Sequence, residues 1–341
     1  MDQITPRLTQ AAIWTPDGID IQTLEIPELA PGDVLVEVAL ATMCGSDLHT
    51  VTGRRPAACP SILGHEAVGT VVAVGDDASA SVGDRVVWSV TVPCGRCARC
   101  ASGFTAKCVD VRKVGHESAV GEWALSGSYA RHIVLPKGTA IAPVPETMPD
   151  AVAAPAACAT ATVMAALQAA GDLAGRRVLI YGAGMLGITA AAASAHRGAA
   201  RVFVVDHNPQ RQSHARAFGA IDDDDQFVDV AIDFTGAAAA VQAALGRLDT
   251  GGRLVLAGSV TPGPPITVDP ERVVRGWLTI TGVHNYEPHH LTQAVDFLHT
   301  TGDRYPWAEL VDAPVPLTDL ARVLVPTRPG ILRASVAPGA S

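Results

Sequence analysis

The chain has 341 residues, enough for about two domains. Hydrophobic residues make up 48% and charged residues 17%, which supplies a buried core and excludes intrinsic disorder. The formal net charge is −9, only three residues are lysine (Lys107, Lys113, Lys137) and there is no basic run, so nucleic acid and anionic membranes are poor partners.

The opening residues carry no charged head followed by an apolar stretch, so no signal peptide is expected and a cytoplasmic protein is. Residues 1–150 hold short Val/Ile runs bounded by Gly, Pro and Asp. Val34–Leu40, Val68–Val74 and Arg85–Val92 each read as a strand, so this segment is mainly β. Ala151–Ala170 is twenty residues without a charge, long enough for a membrane span. Its large apolar side chains are only Val152, Val163, Met164 and Leu167, which suits a buried helix better.

From Arg176 the pattern alternates. Strands are expected at Arg177–Tyr181, Arg201–Val205, Val230–Phe234, Arg253–Ala257 and Leu278–Val283. Helices are expected from the glycine loop to His196, over Pro209–Phe218, over Ala237–Leu248, and last over His289–Thr301. Such alternation predicts an α/β fold, a Rossmann-type doubly wound parallel sheet. The assignment is 151–304 for this sheet, and 1–150 with the Pro-punctuated tail 305–341 for the β domain.

Gly182-Ala-Gly184-Met-Leu-Gly187 fits G-x-G-x-x-G, follows a strand and opens a helix, and Asp206 stands 19 residues after Gly187 at the end of the next strand. Gly182 permits the turn, Gly184 lets the backbone approach a pyrophosphate, and Gly187 lets helix and strand pack closely. The helix N-terminus offers donors to the phosphates. The plainer alternative is a glycine-rich turn without a ligand. A carboxylate at Asp206 accepts from a ribose 2′-hydroxyl and repels a 2′-phosphate, so NAD is expected over NADP. Arg211 is the first arginine after it and a further candidate cofactor contact.

Seven cysteines are present, and Cys94, Cys97, Cys100 and Cys108 crowd together with spacings x2, x2 and x7. Four thiolates in a short loop can close a tetrahedron around Zn²⁺ and leave no room for substrate, a structural site. A disulfide pair and an iron–sulfur cluster are the alternatives. Cys59 has no partner pattern and reads as a free thiol. Cys44-Gly-Ser46-Asp47-Leu-His49, Gly64-His65-Glu66 and Cys158 matter through their co-occurrence with this loop and the glycine fingerprint, because a lone buried Cys or His is usually inert.

These residues, with Gly83-Asp84-Arg85-Val86, resemble the zinc-dependent medium-chain dehydrogenases/reductases over nearly the whole chain. The resemblance implies a GroES-like catalytic domain and a zinc-dependent oxidoreductase moving hydride between a secondary alcohol or polyol, or its ketone, and NAD(H). It implies Cys44, His65 and Cys158 as ligands of a catalytic zinc, with Glu66 either an exchanging ligand or a carboxylate behind it, and Asp47 orienting the His65 ring. Ser46, the cofactor ribose and His49 would relay the alcohol proton. Leu186 and Thr162 fall where family members touch the nicotinamide ring. The resemblance further implies two Zn²⁺ per chain and a homo-oligomer, dimer or tetramer, formed through the strand near Leu278–Val283.

The chain departs from the family at Ile221–Val228, where an acidic run leaves no room for a usual helix. Val90 stands where some alcohol dehydrogenases carry an aromatic, leaving space for a larger substrate. Lys113, His116, Glu117 and Trp123 could face that substrate. The stretches around Trp88–Cys97 and Arg112–Glu117 are similar to a bacterial subgroup linked to phosphonate or cyclitol metabolism, which would make Arg112 and Lys113 partners of a phosphoryl group. A cyclitol, phosphorylated-ketone or enone reductase is therefore one competing reading, and a non-catalytic nucleotide-binding protein is another.

Overall fold

A computed structural model describes residues 7–325 and 331–340. These fold as two units: Met1–Cys158 with Glu287–Gly302 and Trp307–Ser341, and Ala159–Tyr286 with Asp303–Pro306. Residues 287–302, expected in the dinucleotide-binding part, thus belong to the first unit.

The first unit opens with strands β1 (Leu8–Thr15) and β2 (Gly18–Glu25), an antiparallel hairpin. Sequence reading misses both; β2 buries neither face fully. The central strand is β3 (Val34–Thr42), followed by helix α1 (Gly45–Val51) and the short β4 (Ser61–Ile62) beside β1. Strand β5 (Ala67–Val74) pairs antiparallel with β3. The run expected as one strand at Arg85–Val92 splits into β6 (Arg85–Trp88) and β7 (Thr91–Val92). The Ser89 hydroxyl accepts the Thr91 N–H at 3.2 Å and turns the backbone there. Helix α2 (Ala98–Ala101), strands β8 (Arg112–Lys113), β9 (His132–Leu135) and β10 (Ile141–Pro143), and helix α3 (Asp150–Ala153) follow. The core gathers Leu35, Ile62, Trp88, Tyr129, Ile133 and Leu135, all fully buried. Each contributes about 1.5–3 kcal/mol on leaving water.

The uncharged run at 151–170 is not one helix. A 3₁₀ turn at Ala154–Ala157 leads to Cys158, whose φ of −134° and ψ of −69° break the helical path, and α4 (Ala159–Ala170) starts the second unit. No single helix among the described residues is long and apolar enough to cross a membrane.

The second unit continues with β11 (Arg177–Tyr181), α5 (Met185–His196), β12 (Arg201–Val205), α6 (Pro209–Arg216), β13 (Val228–Asp233), α7 (Ala238–Gly246), β14 (Leu248–Leu256), α8 (Pro270–Gly276) and β15 (Thr279–Gly282). The strands form one parallel sheet in the order β12-β11-β13-β14-β15, the doubly wound arrangement expected. Helix α8 was not expected, though Asp269-Pro270 before it is a start signal: the Asp269 side chain accepts the Glu271 N–H at 2.9 Å and Pro270 takes the first turn. As expected, no helix follows Ile221. That residue makes only a single parallel bridge to Phe203. The acidic turn after it is tied down by arginines, with Asp224 on Arg177 (2.6 Å) and Arg201 (3.2 Å), and Asp223 on Arg247 (2.8 Å).

The chain then returns to the first unit. Helix α9 (Pro288–Thr300) packs against β10 and the 154–157 turn, which is why it leaves the second unit. Strand β16 (Val315–Pro316), helix α10 (Leu320–Val323) and β17 (Ser335–Ala337) complete the described residues, and the main sheet runs β10-β6-β5-β3-β17-β16. Antiparallel pairing of Ser335 with Thr42 fixes where the residues just before β17 fall.

Candidate metal centres and dinucleotide loop

The Cys44-Gly-Ser-Asp47 motif is a helix start. Cys44 caps α1, and the Asp47 carboxylate reaches back to accept the Cys44 N–H at 2.9 Å. His65 follows Gly64, whose φ of +88° and close approach to the Tyr129 ring, 2.8 Å from any added Cβ, exclude a larger residue. Cys158 arrives from the helix break. Its Sγ lies 3.9 Å from the Cys44 Sγ, and one ligand atom from each of Cys44, His65 and Cys158 falls within 4.8 Å of the others. Two thiolates at about 2.3 Å from one tetrahedral Zn²⁺ are separated by ~3.8 Å, so the donor set fits that ion.

Polar groups frame these three residues. Asp47 is buried; its Oδ1 stands 3.5 Å from His65 Nδ1 and its Oδ2 accepts the Tyr129 hydroxyl at 3.1 Å. The His65 Nδ1 contact is ionic, without the alignment of a hydrogen bond. The other ring nitrogen, Nε2, lies 3.2 Å from the Ser46 hydroxyl. Burial opposes a charged imidazole, but Asp47 and Cys44 outweigh it and push His65 up to about 10 in the absence of metal. Contact with Cys158, opposed by burial and aided by His65 and Arg333, lowers the Cys44 thiol well below its usual value, while Cys158 is raised by that same contact.

Glu66 is completely buried, and its carboxylate is not among the clustered ligand atoms. Its Oε1 accepts from Arg333 Nε at 2.7 Å and from the Thr42 hydroxyl at 2.6 Å. Burial raises its pKa, and Arg333 opposes that rise. The Arg333 guanidinium also reaches to 4.0 Å from Cys44 Sγ. Thr42, Tyr129 and Arg333 escaped the sequence reading. Arg333 lies 267 residues from Glu66, and only the β3–β17 register brings it there. No hydrogen bond joins Ser46 to His49 among the described residues; the His49 ring is half-buried.

Around this centre the residues expected to face substrate diverge. Trp123 is buried, donates its indole N–H to the Val134 carbonyl at 2.7 Å, and carries Arg112 over its ring at 5.1 Å, so both have structural work. His116 stands against His65, ring centroids 5.2 Å apart. Val90 is buried, and Cys59 is exposed as a free thiol.

The four-cysteine lobe also holds together. Ligand sulfurs of Cys94, Cys97, Cys100 and Cys108 all lie within 4.8 Å of one another, with Cys97 at 3.5 Å from Cys100 and 3.8 Å from Cys108. All seven cysteines are free, and these separations exceed a disulfide bond of about 2.05 Å but match ~3.8 Å across one Zn²⁺. The N–H groups of Cys94 and Asp110 point at Cys108 Sγ, each at 3.3 Å, as donors to a thiolate do. Glu287, at the start of α9, anchors the lobe by accepting from the N–H groups of Thr105 (3.0 Å) and Ala106 (3.1 Å).

In the second unit Gly182 has φ +99°, and a Cβ on Gly187 would meet the Gly182 carbonyl at 1.7 Å. A Cβ on Gly184, which caps α5, would meet nothing, so backbone donors there stand open to a phosphate. Asp206 closes the loop by accepting from Ala183 N–H at 2.7 Å and Asn208 N–H at 2.8 Å, each oxygen keeping a further lone pair. Leu186 sits half-buried in the first turn of α5 and Thr162 in the first turn of α4. Arg211 is half-buried with its Nε unpartnered.

Two thiol-based donor sets that fit zinc and a glycine-rich strand-to-helix loop on one chain are the features of a zinc-dependent oxidoreductase with a nicotinamide cofactor. The alcohol dehydrogenase GroES-like domain matches residues 30–146, and the zinc-binding dehydrogenase domain matches 185–300. An L-threonine 3-dehydrogenase of Edwardsiella ictaluri is 30% identical across 80% of this chain and 82% of its own. An alcohol dehydrogenase from Thermotoga maritima superposes with a TM-score of 0.89 at 25% identity, covering 97% of this chain and 99% of that one. A zinc-binding dehydrogenase from Sinorhizobium meliloti bound to NADP shares the fold, with a TM-score of 0.87 at 24% identity over 98% and 100% of the two chains. The chain belongs to the zinc-dependent medium-chain dehydrogenase/reductase family.

Proposed function

We propose that this protein oxidises a secondary alcohol or polyol, or reduces the matching ketone, using NAD and a zinc ion held by Cys44, His65 and Cys158. The observation that carries this is the buried convergence of those three donors, drawn from three separated segments. A three-ligand zinc leaves a coordination position open, and bound there it acidifies a substrate hydroxyl.

The chain's own residues supply the rest. Asp47 holds the His65 ring so that Nε2 faces the thiols. With a cofactor bound, the Ser46 hydroxyl would take the substrate hydroxyl proton and His49 would pass it on to solvent. A nicotinamide bound there would accept the carbon-bound hydrogen with its electron pair, and Leu186 and Thr162 would hold its ring. Glu66, held by Arg333 and Thr42, would lend negative charge to a metal held by the three donors. Cys94, Cys97, Cys100 and Cys108 would hold a second, structural zinc. Asp206 would select NAD by accepting from a ribose 2′-hydroxyl, and Arg211 would be a further cofactor contact. The exposed edge of β15 joins subunits in a homo-oligomer.

The test is a panel of secondary alcohols, polyols and phosphorylated cyclitols, followed by NADH absorbance. Turnover is expected with NAD, and a higher kcat/KM with NADP would remove the role given to Asp206. NADH binding without turnover of any alcohol or ketone would sink the proposal.

A further inference from the structure

The sequence carries Gly-His-Glu twice, at 64–66 and again at 115–117. The fold lays the second copy on the first. Gly115 has φ +70°, and a Cβ there would meet the Gly64 carbonyl oxygen at 2.3 Å, so the two glycine backbones touch. One segment clamps both: the Ser128 N–H donates to the Gly64 carbonyl at 2.9 Å, and the Gly115 N–H donates to the Ser126 carbonyl at 2.7 Å. A histidine follows each glycine, and the two rings stand 5.2 Å apart. Main-chain contacts therefore fix His116 beside His65.

The two copies use their side chains differently. His65 is one of the three clustered donors, and His116 is not. Glu66 meets Arg333, whereas Glu117 closes its own turn by accepting the Lys113 N–H at 2.7 Å. The His116 Nδ1 lies 2.7 Å from the Val114 carbonyl. A carbonyl only accepts, so Nδ1 carries the ring proton. Burial disfavours a second proton. Nε2 is then a lone pair, on the side of the ring turned away from Val114. It has no hydrogen-bond partner among the described residues and is not sealed from solvent. A ring that resists a second proton is a poor base and still a good acceptor. Held by its turn, it discriminates: a ligand that brings a donor satisfies it, and one that brings a methyl group leaves it bare.

We propose that His116 is a specificity residue, accepting through Nε2 a hydrogen bond from a hydroxyl or ammonium group on the carbon next to the one that reacts. The substrate is then a vicinal diol or a vicinal amino alcohol, or the matching ketone, and not a simple alcohol. The reaction rests on the function proposed above; the place of the acceptor rests on the two stacked Gly-His turns.

The binding experiment titrates cyclohexanol, its vicinal diol and its vicinal amino alcohol, each in cis and trans forms, into NADH-saturated holoenzyme, where an alcohol binds without reacting. NADH fluorescence is the readout. The diol or the amino alcohol is expected to bind about tenfold tighter than cyclohexanol, and the one that does identifies the donor. In His116→Asn, whose amide reaches Val114 but not the Nε2 position, that preference is expected to vanish. In His116→Gln, whose amide oxygen reaches the Nε2 position, a large part of it should return. The kinetic experiment compares kcat/KM for the same compounds, and the same ratio should collapse in His116→Asn, through KM. A parent enzyme that binds none of the three, or all alike, overturns the acceptor. So does a preference that His116→Asn leaves intact, or an equal loss in both variants, which would make His116 a structural residue. If the preference is present and lost in His116→Asn alone but no alcohol is turned over, the acceptor stands and the reaction falls. If cyclohexanol reacts and neither added group improves on it, the reaction stands and the acceptor falls.

Discussion

Cys94, Cys97, Cys100 and Cys108 come from one 15-residue loop, whereas Cys44 and Cys158 are 114 residues apart. The loop sulfurs are bound by local turns and backbone N–H donors, and three of the four are only partly buried. Contacts within the lobe, led by backbone N–H groups for Cys97 and by burial for Cys100, hold Cys97 down to about 6 and push Cys100 up to about 12. The other centre is enclosed by fully buried charges: Asp47 behind His65, and Arg333 on Glu66. The lesson concerns surroundings more than ligands. The sulfurs of the four-cysteine loop are placed by local turns, and Glu287 anchors the lobe from outside it. An open three-donor site needs a rigid polar frame, because its ligands must be aimed and its net charge set.

The sharpest way to break this comparison is to remove a ligand from the buried centre. Cys44→Ala or His65→Ala is expected to lower kcat by about 10³-fold or more, read by NADH absorbance, since the acidified hydroxyl is lost. NADH affinity, followed by fluorescence titration, should hold. Near-parental turnover in either variant would remove the metal from the reaction.

Next comes the frame. Arg333→Met leaves Glu66 buried opposite no cation and is expected to cost about 3–5 kcal/mol of stability in a urea titration. The double variant Arg333→Met/Glu66→Gln should recover a large part of that loss. If the single variant were as stable as the parent, the pair would be no part of what holds the centre.

A smaller effect is expected from Asp47→Asn, which keeps shape but removes the charge behind His65. Metal affinity and kcat should each fall by about 10–100-fold, measured by competition with a chelator and by steady-state kinetics. A change below twofold in both would make Asp47 only the cap of α1.

The smallest global effect belongs to the exposed lobe. Cys97→Ser is expected to lose one zinc equivalent and the hydrogen-exchange protection of residues 94–110. The Tm should fall by only about 2–4 °C, roughly 1 kcal/mol for a domain of this size. Collapse of the whole first unit would show that the lobe is coupled to the core and erase the contrast.

Much of this was legible along the chain. The parallel sheet of the second unit followed from β-branched runs alternating with Ala-rich helices, because a strand buried on both faces must be apolar throughout. The glycine fingerprint and the cysteine loop are local, and their spacing is their geometry. What spacing could not supply was the company each ligand keeps. The break at Cys158 is invisible in a run that reads as continuous helix, since nothing in Ala-Cys-Ala forbids helical dihedrals; the tertiary fold imposes the turn. The division of Arg85–Val92 into two strands follows their partners, for β6 pairs with β5 and β10 whereas β7 pairs with β8.

Residue types and their order alone determined the fold class, the four-cysteine loop and the glycine loop, for these follow from local patterns along the chain. Tertiary structure decided that Arg333 meets Glu66 and that Arg112 is spent on Trp123. Such pairings depend on strand register and burial, and a buried charge takes its meaning from whatever distant segment the fold lays against it.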